Sequence, residues 1–226
     1  MTIKVTTPNG GSDSLDFGCA QTAIVATVTG TEVSSGEGKL ELKTTTGGTS
    51  AAKMTIAANG AVTLASPALS NLAINLQTAT ATTSGTTKDF TGIPAGVNKI
   101  TVTYNGVSDN GTSVIIAQLG TSGIVTSGYV ATATHIAPST AVLAVTAGFP
   151  MTRNGSAASL FSGILHLVRH TGNEWVGTAM SNDETDTQVH FGAGKIALAG
   201  EVDALRLTTV GGQTFDAGSV NISWEF

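Results

Sequence analysis

The chain has 226 residues, of which only 11% are charged, with a formal net charge of −5 and ten Lys and Arg scattered singly. An average soluble domain is roughly 25% charged, so solubility here rests on hydroxyls and amides; threonine is the commonest residue and 28 positions are Gly. Without clustered cations to displace counterions from phosphates, nucleic-acid binding is excluded as an expectation.

Cys19 is the single cysteine, so no intrachain disulfide framework or four-thiolate zinc site can form, and it reads as a small buried hydrophobe. The first twenty residues lack the apolar run of about 7–15 residues that a secretory signal needs. No stretch reaches the ~18 consecutive apolar residues of a membrane helix. The expectation is synthesis in a cytoplasm without membrane insertion.

In chain order, nearly every segment alternates with period two, is rich in Val, Ile and Thr, and is cut every 8–12 residues by Gly, Asn or Asp. Residues 1–35 open with the polar "TTPNGGSDS" and continue into "AIVATVTGTEV", where Ile24, Ala26 and Val28 form one face of an expected strand. Residues 36–65 place Leu40 and Leu42, then Met54 and Ile56, then Val62 and Leu64 on alternating positions around an Asn59-Gly60 turn. A two-stranded hairpin is marginal alone, and about six large apolar residues cannot offset the ordering entropy of thirty residues. This segment therefore predicts self-association, with Leu40, Leu42, Met54, Ile56, Val62 and Leu64 as the interface.

The segment "SPALSNLAINLQT", 66–78, fits a helix with Leu69, Leu72 and Leu76 on one face, and equally a strand with Leu72, Ile74 and Leu76 alternating. After the Thr-rich "QTATATTSGTT" a domain boundary is expected near 80–86. Beyond it, strands read off as "KITVTY", "VIIAQL", "AVLAVTA", "SLFSGILHLVRH", "EWVGTAM", "TQVHF", "KIALA", "ALRLTTV" and "SVNISWEF". Asp109-Asn110-Gly111 carries the residues of a tight hairpin turn. In the last strand Val220, Ile222, Trp224 and Phe226 face one way, which predicts a structured C-terminal residue. The expected fold is all-β, with a C-terminal jelly-roll-like β-sandwich. The expected divisions are residues 1–35, 36–85 and 86–226.

Chemistry-bearing patterns are sparse. Neither a nucleophile elbow nor a dinucleotide-binding glycine loop occurs, and "GAGKI" at 192–196 lacks the upstream Gly and the magnesium-binding Ser or Thr of a phosphate loop. His166 and His170 lie four apart on an expected strand, about 13 Å, too far to share an ion. "SNDETDT", 181–187, is the dense acidic cluster: Asp183, Glu184 and Asp186 beside Asn182 are hard oxygen donors, weak metal candidates against the simpler reading of a solvated loop. Trp175 offers an aromatic face that a sugar could stack on, or a core side chain. Trp175, Asn182, Asp183, Asp109 and Asn110 are the candidate ligand contacts. With no catalytic constellation in view, the expectation is a non-enzymatic protein without cofactors.

The run "TTKDFTGIPAGVNKITVTYNGVSDNGTSVIIAQLG", 86–120, and the ending "VDALRLTTVGGQTFDAGSVNISWEF", 202–226, resemble a C-terminal domain of tailed-bacteriophage and prophage virion proteins of the tail-fibre type. "GKLELKTTTGGTSAAKMTIAANGAVTLAS", 38–66, is similar to a hairpin segment recurring in phage fibre shafts, although Ala52 and Lys53 stand where a Glu-Arg pair usually precedes the Met. The resemblance implies a homotrimeric virion protein: residues 1–35 as an attachment segment held to other virion proteins, 36–85 as an extended, intertwined β stem with the six apolar residues of 40–64 at the trimer interface, and 86–226 as a head that touches the host surface, glycan included. An alternative it implies is a capsid-decorating head fibre or cement protein that binds the capsid lattice. A capsule depolymerase is disfavoured by the missing long β-helix and carboxylate motif.

Overall fold

The computed structural model describes residues 13–17, 26–34, 37–46, 49–57, 59, 62–64, 74–136, 140–153 and 155–226. The chain divides into two compact units, Met1–Leu72 and Ala73–Phe226. Every strand pair is antiparallel, and no helix occurs among the described residues. None is therefore long and apolar enough to cross a membrane.

The first unit is a five-stranded meander of β1 (Asp13–Phe17), β2 (Ala26–Ser34), β3 (Glu37–Thr46), β4 (Thr49–Ile56) and β5 (Val62–Leu64), paired in chain order. β2 pairs with β3, Val28 opposite Leu42 and Gly30 opposite Leu40, with one register shift between Glu32 and Ser34. The expected division at residue 35 is thus corrected, because one sheet runs through it. The six expected interface residues fall on two rows: Leu40 opposite Ile56 opposite Val62, and Leu42 opposite Met54 opposite Leu64. Leu40 and Leu42 are each 39% exposed, and Met54 and Ile56 are half-buried. The side chains of Val62 and Leu64 lie outside the described residues, as do Cys19, Ile24, Gly60 and the 66–73 part of the ambiguous segment. Next to the Met54 row the register slips between Leu42 and Lys43, leaving Lys53 as the extra residue of a bulge.

The second unit begins earlier than expected. Its strands β6 (Asn75–Leu76) and β7 (Thr80–Ala81) pair with β18 (Phe215–Glu225), so residues 73–85 belong here and the boundary moves back to 72. Thr82, fully buried, donates its hydroxyl to the Ala217 carbonyl at 2.6 Å, which ties the Thr-rich stretch to this sheet.

The remaining strands are β8 (Thr87–Thr91), β9 (Lys99–Asp109), β10 (Ile115–Gly120), β11 (Val130–Ile136), β12 (Val142–Val145), β13 (Phe149–Pro150), β14 (Phe161–Thr171), β15 (Glu174–Asp183), β16 (Gln188–Ala197) and β17 (Ala204–Thr209). They build a small sheet ordered β13-β10-β17-β8 and a large one ordered β12-β11-β16-β15-β14-β9-β18-β6, with β7 also on β18. β9 and β10 lie in different sheets. The Asp109-Asn110-Gly111 corner is therefore a crossover, not the expected hairpin, and Gly111 is not among the positive-φ glycines. "TQVHF" and "KIALA" are one strand, β16, joined through Gly192 and Gly194.

Alternation explains the core. Along β15, Trp175, Gly177, Ala179, Ser181 and Asp183 turn inward while Val176, Thr178, Met180 and Asn182 turn outward. One apolar cluster takes side chains from both sheets: Leu119, Leu205 and Leu207 from the small sheet, and Ile100, Val102, Leu167 and Trp175 from the large one. Val220, Ile222 and Trp224 are buried in it and Phe226 packs against it, as the alternation predicted.

The inner face of the large sheet also carries a patch of very small residues, with Ala179 opposite Gly192 opposite Ala133, and Gly177 opposite Gly194 opposite Ala131. That patch is where β13 comes closest. A Cβ on Gly192 would lie 1.9 Å from the Pro150 carbonyl oxygen, and one on Gly177 would lie 2.7 Å from the Phe149 ring.

Candidate functional site

The register gathers four of the five candidate contact residues, Asp109, Asn110, Asn182 and Asp183, at one end of the large sheet. Asp183 closes β15 opposite Gln188 at the start of β16 and Phe161 at the start of β14; Phe161 in turn faces Val107, two residues before Asp109. The β9–β10 corner and the β15–β16 hairpin are thus separated by two strand spacings, about 10 Å. Asp109 is buried and its carboxylate accepts the Gly111 N–H at 2.7 Å; burial raises its pKa, the Gly111 bond lowers it, and Asp216 raises it. Exposed Asn110 accepts the Thr214 N–H at 3.0 Å and pins the corner to the β17–β18 turn.

The four acidic-cluster residues do not converge. Asn182 is on the outer face of β15 and Asp183 on the inner. Asp183 accepts from the Thr185 N–H at 3.0 Å and the Thr185 hydroxyl at 2.7 Å. Glu184 accepts the Ser162 hydroxyl, while Asp186 accepts from the Thr187 N–H at 2.7 Å and the Gln188 side-chain amide at 2.5 Å. Asp183 and Asp186 serve the hairpin's own donors and Glu184 serves β14, and no group of three His, Cys, Asp or Glu placed to hold a metal occurs among the described residues. Asp183, Glu184 and Asp186 are therefore hairpin-forming groups, and the metal reading of them is not carried further.

Trp175 lies at the other end of β15, opposite Arg169 and Ile196, and is 2% exposed. It is a core residue, which corrects its place among the ligand contacts: no ligand reaches its ring face.

What the fold does assemble beside Asp183 is an open cavity of about 420 Å³ lined by His135 from β11, Ser156 and Ser159 from the β13–β14 loop, and Asp183, Thr185, Asp186 and Gln188 from the hairpin. Its wall is mostly polar and supplies carboxylate and hydroxyl acceptors beside hydroxyl and amide donors, the complement of a polyhydroxylated ligand. The loop holding the serines is shaped internally, with the Ser156 N–H donating to Ser159 Oγ at 3.0 Å.

Behind the cavity sits His190, fully buried on the inner face of β16. Its Nδ1 accepts the Arg153 N–H at 3.0 Å, which leaves the ring proton on Nε2, an atom with no hydrogen-bond partner. The ring meets Phe161 edge-on at 5.1 Å and lies 5.5 Å from the ring of His135. Burial, then the nearby His135, pull the His190 pKa from its ordinary 6.5 down to about 4, with Asp183 and Asp186 acting upward and Arg153 downward. Between those two values the unfolded chain binds the proton more tightly, so the contribution of His190 is complete above pH ~6.5 and is lost as pH falls toward ~4; its full size is about 3 kcal/mol. The melting temperature is expected to rise between pH 4.5 and 7, and His190→Gln to flatten that rise; an equal slope in both proteins would refute the assignment.

His135, Ser156, Ser159, Gln188 and His190 escape a reading of the sequence because they are far apart in the chain. The inward position of His190 in the alternation of "TQVHF" is the one signal that could have found it.

No protein-family model matches the chain, and no curated protein or solved structure matches it.

Proposed function

We propose that this chain is a bacteriophage virion structural protein: a short homotrimeric fibre with an N-terminal β stem, attached to other virion proteins by its N-terminus, and a jelly-roll-like head that contacts host-surface glycan. The observation that carries the reading is the polar cavity at one end of the large sheet, lined by His135, Ser156, Ser159, Asp183, Thr185, Asp186 and Gln188, all of which carry hydrogen-bonding side chains. The resemblance of residues 38–66, 86–120 and 202–226 to fibre-type virion proteins supports the same reading. Asp109 and Asn110 stand at that end of the sheet too, two strand spacings from Asn182, which lies on its outer side.

Gold labelling of intact virions tests location: label at the tail is expected, and label on capsid faces would overturn the tail-fibre role in favour of a capsid-decorating one. Binding of purified protein to host polysaccharide, measured by calorimetry, tests the ligand class; absence of binding would overturn it.

In the stem, Ile56→Asp puts a charge into the row formed with Leu40 and Val62, and a lone buried charge costs several kcal/mol. Calorimetry is expected to show the first unit's transition lost while that of the second stays in place. An unchanged first transition would show that association does not reside in these rows.

A further inference from the structure

The cavity beside Asp183 has an uneven supply of hydrogen-bonding groups. Asp183 is only 4% exposed yet lines the wall, and both bonds that it accepts, from the Thr185 N–H and hydroxyl, fall on Oδ1. Its Oδ2 receives none. Asp186 accepts one bond on each oxygen, from the Thr187 N–H and the Gln188 amide, whereas an ionised carboxylate has about four lone-pair sites. Gln188 uses a donor in that contact and keeps its carbonyl oxygen, and Thr185 has given its one hydroxyl proton to Asp183.

The donors left over are fewer. Ser159 Oγ accepts the Ser156 N–H at 3.0 Å and Ser156 Oγ accepts the Ala158 N–H at 3.3 Å; the two hydroxyls lie 3.4 Å apart, so one of their protons can be taken up between them. His135 can serve in either role. No Lys or Arg lines the cavity, and Arg153, which acts on His190 behind it, is not part of the wall. Acceptors therefore outnumber donors, and two carboxylates face the space without a lysine or arginine to balance them.

We infer that this cavity selects saccharide units bearing a free amino group over their N-acetylated counterparts and turns away acidic sugars. The inference rests on the glycan reading given above and adds the charge of the ligand to it. An ammonium brings three N–H donors and a positive charge to Asp183 Oδ2 and Asp186, and charge-assisted bonds are roughly twice as strong as neutral ones. N-acetylation removes the charge and leaves one N–H. A uronic acid would set its own carboxylate against the two already present, a juxtaposition that disfavours the partner.

Calorimetry on the full chain tests it with oligosaccharides of equal length in mildly acidic buffer, where the amine is charged: glucosamine, its N-acetylated form with the same linkage, and galacturonate. The glucosamine oligomer is expected to bind at least about tenfold more tightly than the N-acetylated one, and the galacturonate oligomer not to bind. Asp186→Asn, on the exposed turn of the hairpin, is expected to bring the ratio of the first two close to one. Asp183→Asn, which keeps an oxygen for Thr185, takes its place should that variant fail to fold, and is expected to act alike. Glu174→Gln removes the same charge at the opposite end of β15 and is expected to leave the ratio unchanged.

Equal or tighter binding of the N-acetylated or galacturonate oligomer overturns the inference and leaves the glycan reading standing. So does a glucosamine preference that Glu174→Gln lowers as much as Asp186→Asn, since the attraction is then to the negative charge of the whole protein. Host polysaccharide that binds while all three oligomers fail also overturns the inference alone, and failure of all four ligands overturns both.

Discussion

Gly192→Ala is expected to lower the melting temperature of the second unit by about 2–12 °C, one of the largest effects available to a single added methyl among the described glycines. The Cβ would sit 1.9 Å from the Pro150 carbonyl oxygen, and the obstacle is backbone, which cannot rotate aside. Relief requires β13 to lift away from β16, opening the contact between Phe149 and the Gly177–Ala179 surface. Overpacking of this kind costs about 1–3 kcal/mol and sometimes more. Each kcal/mol moves the midpoint of a domain of this size by roughly 2–4 °C. Ala197→Val, in the same strand but on its exposed side, is the control and is expected to change stability by less than about 0.5 kcal/mol. Equal melting curves for Gly192→Ala and wild type would show that the two sheets do not approach at this point.

Trp175→Ala is the second. The indole is 2% exposed and among the largest fully buried side chains, so its removal leaves a cavity flanked by strands that cannot collapse onto it. Aromatic-to-alanine changes in cores cost about 3–5 kcal/mol. Thermal denaturation is expected to show a drop of about 6–20 °C, with polysaccharide affinity per folded molecule unchanged. A variant of normal stability that had lost affinity would return Trp175 to the ligand contacts and reverse the correction made above.

Both residues show what the sequence makes legible and what it hides. Period-two alternation identifies β9, β14, β15, β17 and β18 because each has an apolar inner face and a polar or mixed outer one. It fails for β11, "VATATHI", whose inner residues are the alanines that admit β13, and for β13 itself, two residues ending in a proline. β16 reads as two strands for the same reason. Its interruption, Gly192-Ala193-Gly194, looks like a loop until the fold supplies the obstacles that demand missing side chains, Pro150 of the neighbouring sheet at Gly192 and Ala131 of the adjacent strand at Gly194. The phosphate-loop comparison of "GAGKI" dissolves at that point, since those glycines serve sheet packing. Residues 75–76 pair as a strand within the segment that fitted helix and strand equally.

The candidate site was half legible. Local composition exposed the acidic hairpin, but the cavity beside it needs His135 and the Ser156–Ser159 loop, brought there by the order of strands across the large sheet. Local composition also overstated Trp175, because "TGNE" marks a turn without saying which face the next residue takes. In the first unit, six residues chosen for alternation alone fall into two aligned rows, which is register that neither turn length nor spacing would give by itself.

The placement of basic residues has a consequence for how the protein meets degradative enzymes. Of the six Lys and Arg in residues 73–226, five lie inside hydrogen-bonded strands: Lys88, Lys99, Arg169, Lys195 and Arg206. A protease must draw several residues of extended backbone into its cleft, so cleavage there waits on opening of a sheet. Arg153 alone sits outside a strand, and its N–H is held by His190. Trypsin digestion of the second unit therefore has one natural starting point, beside the polar cavity, and acid that charges His190 would unlatch it.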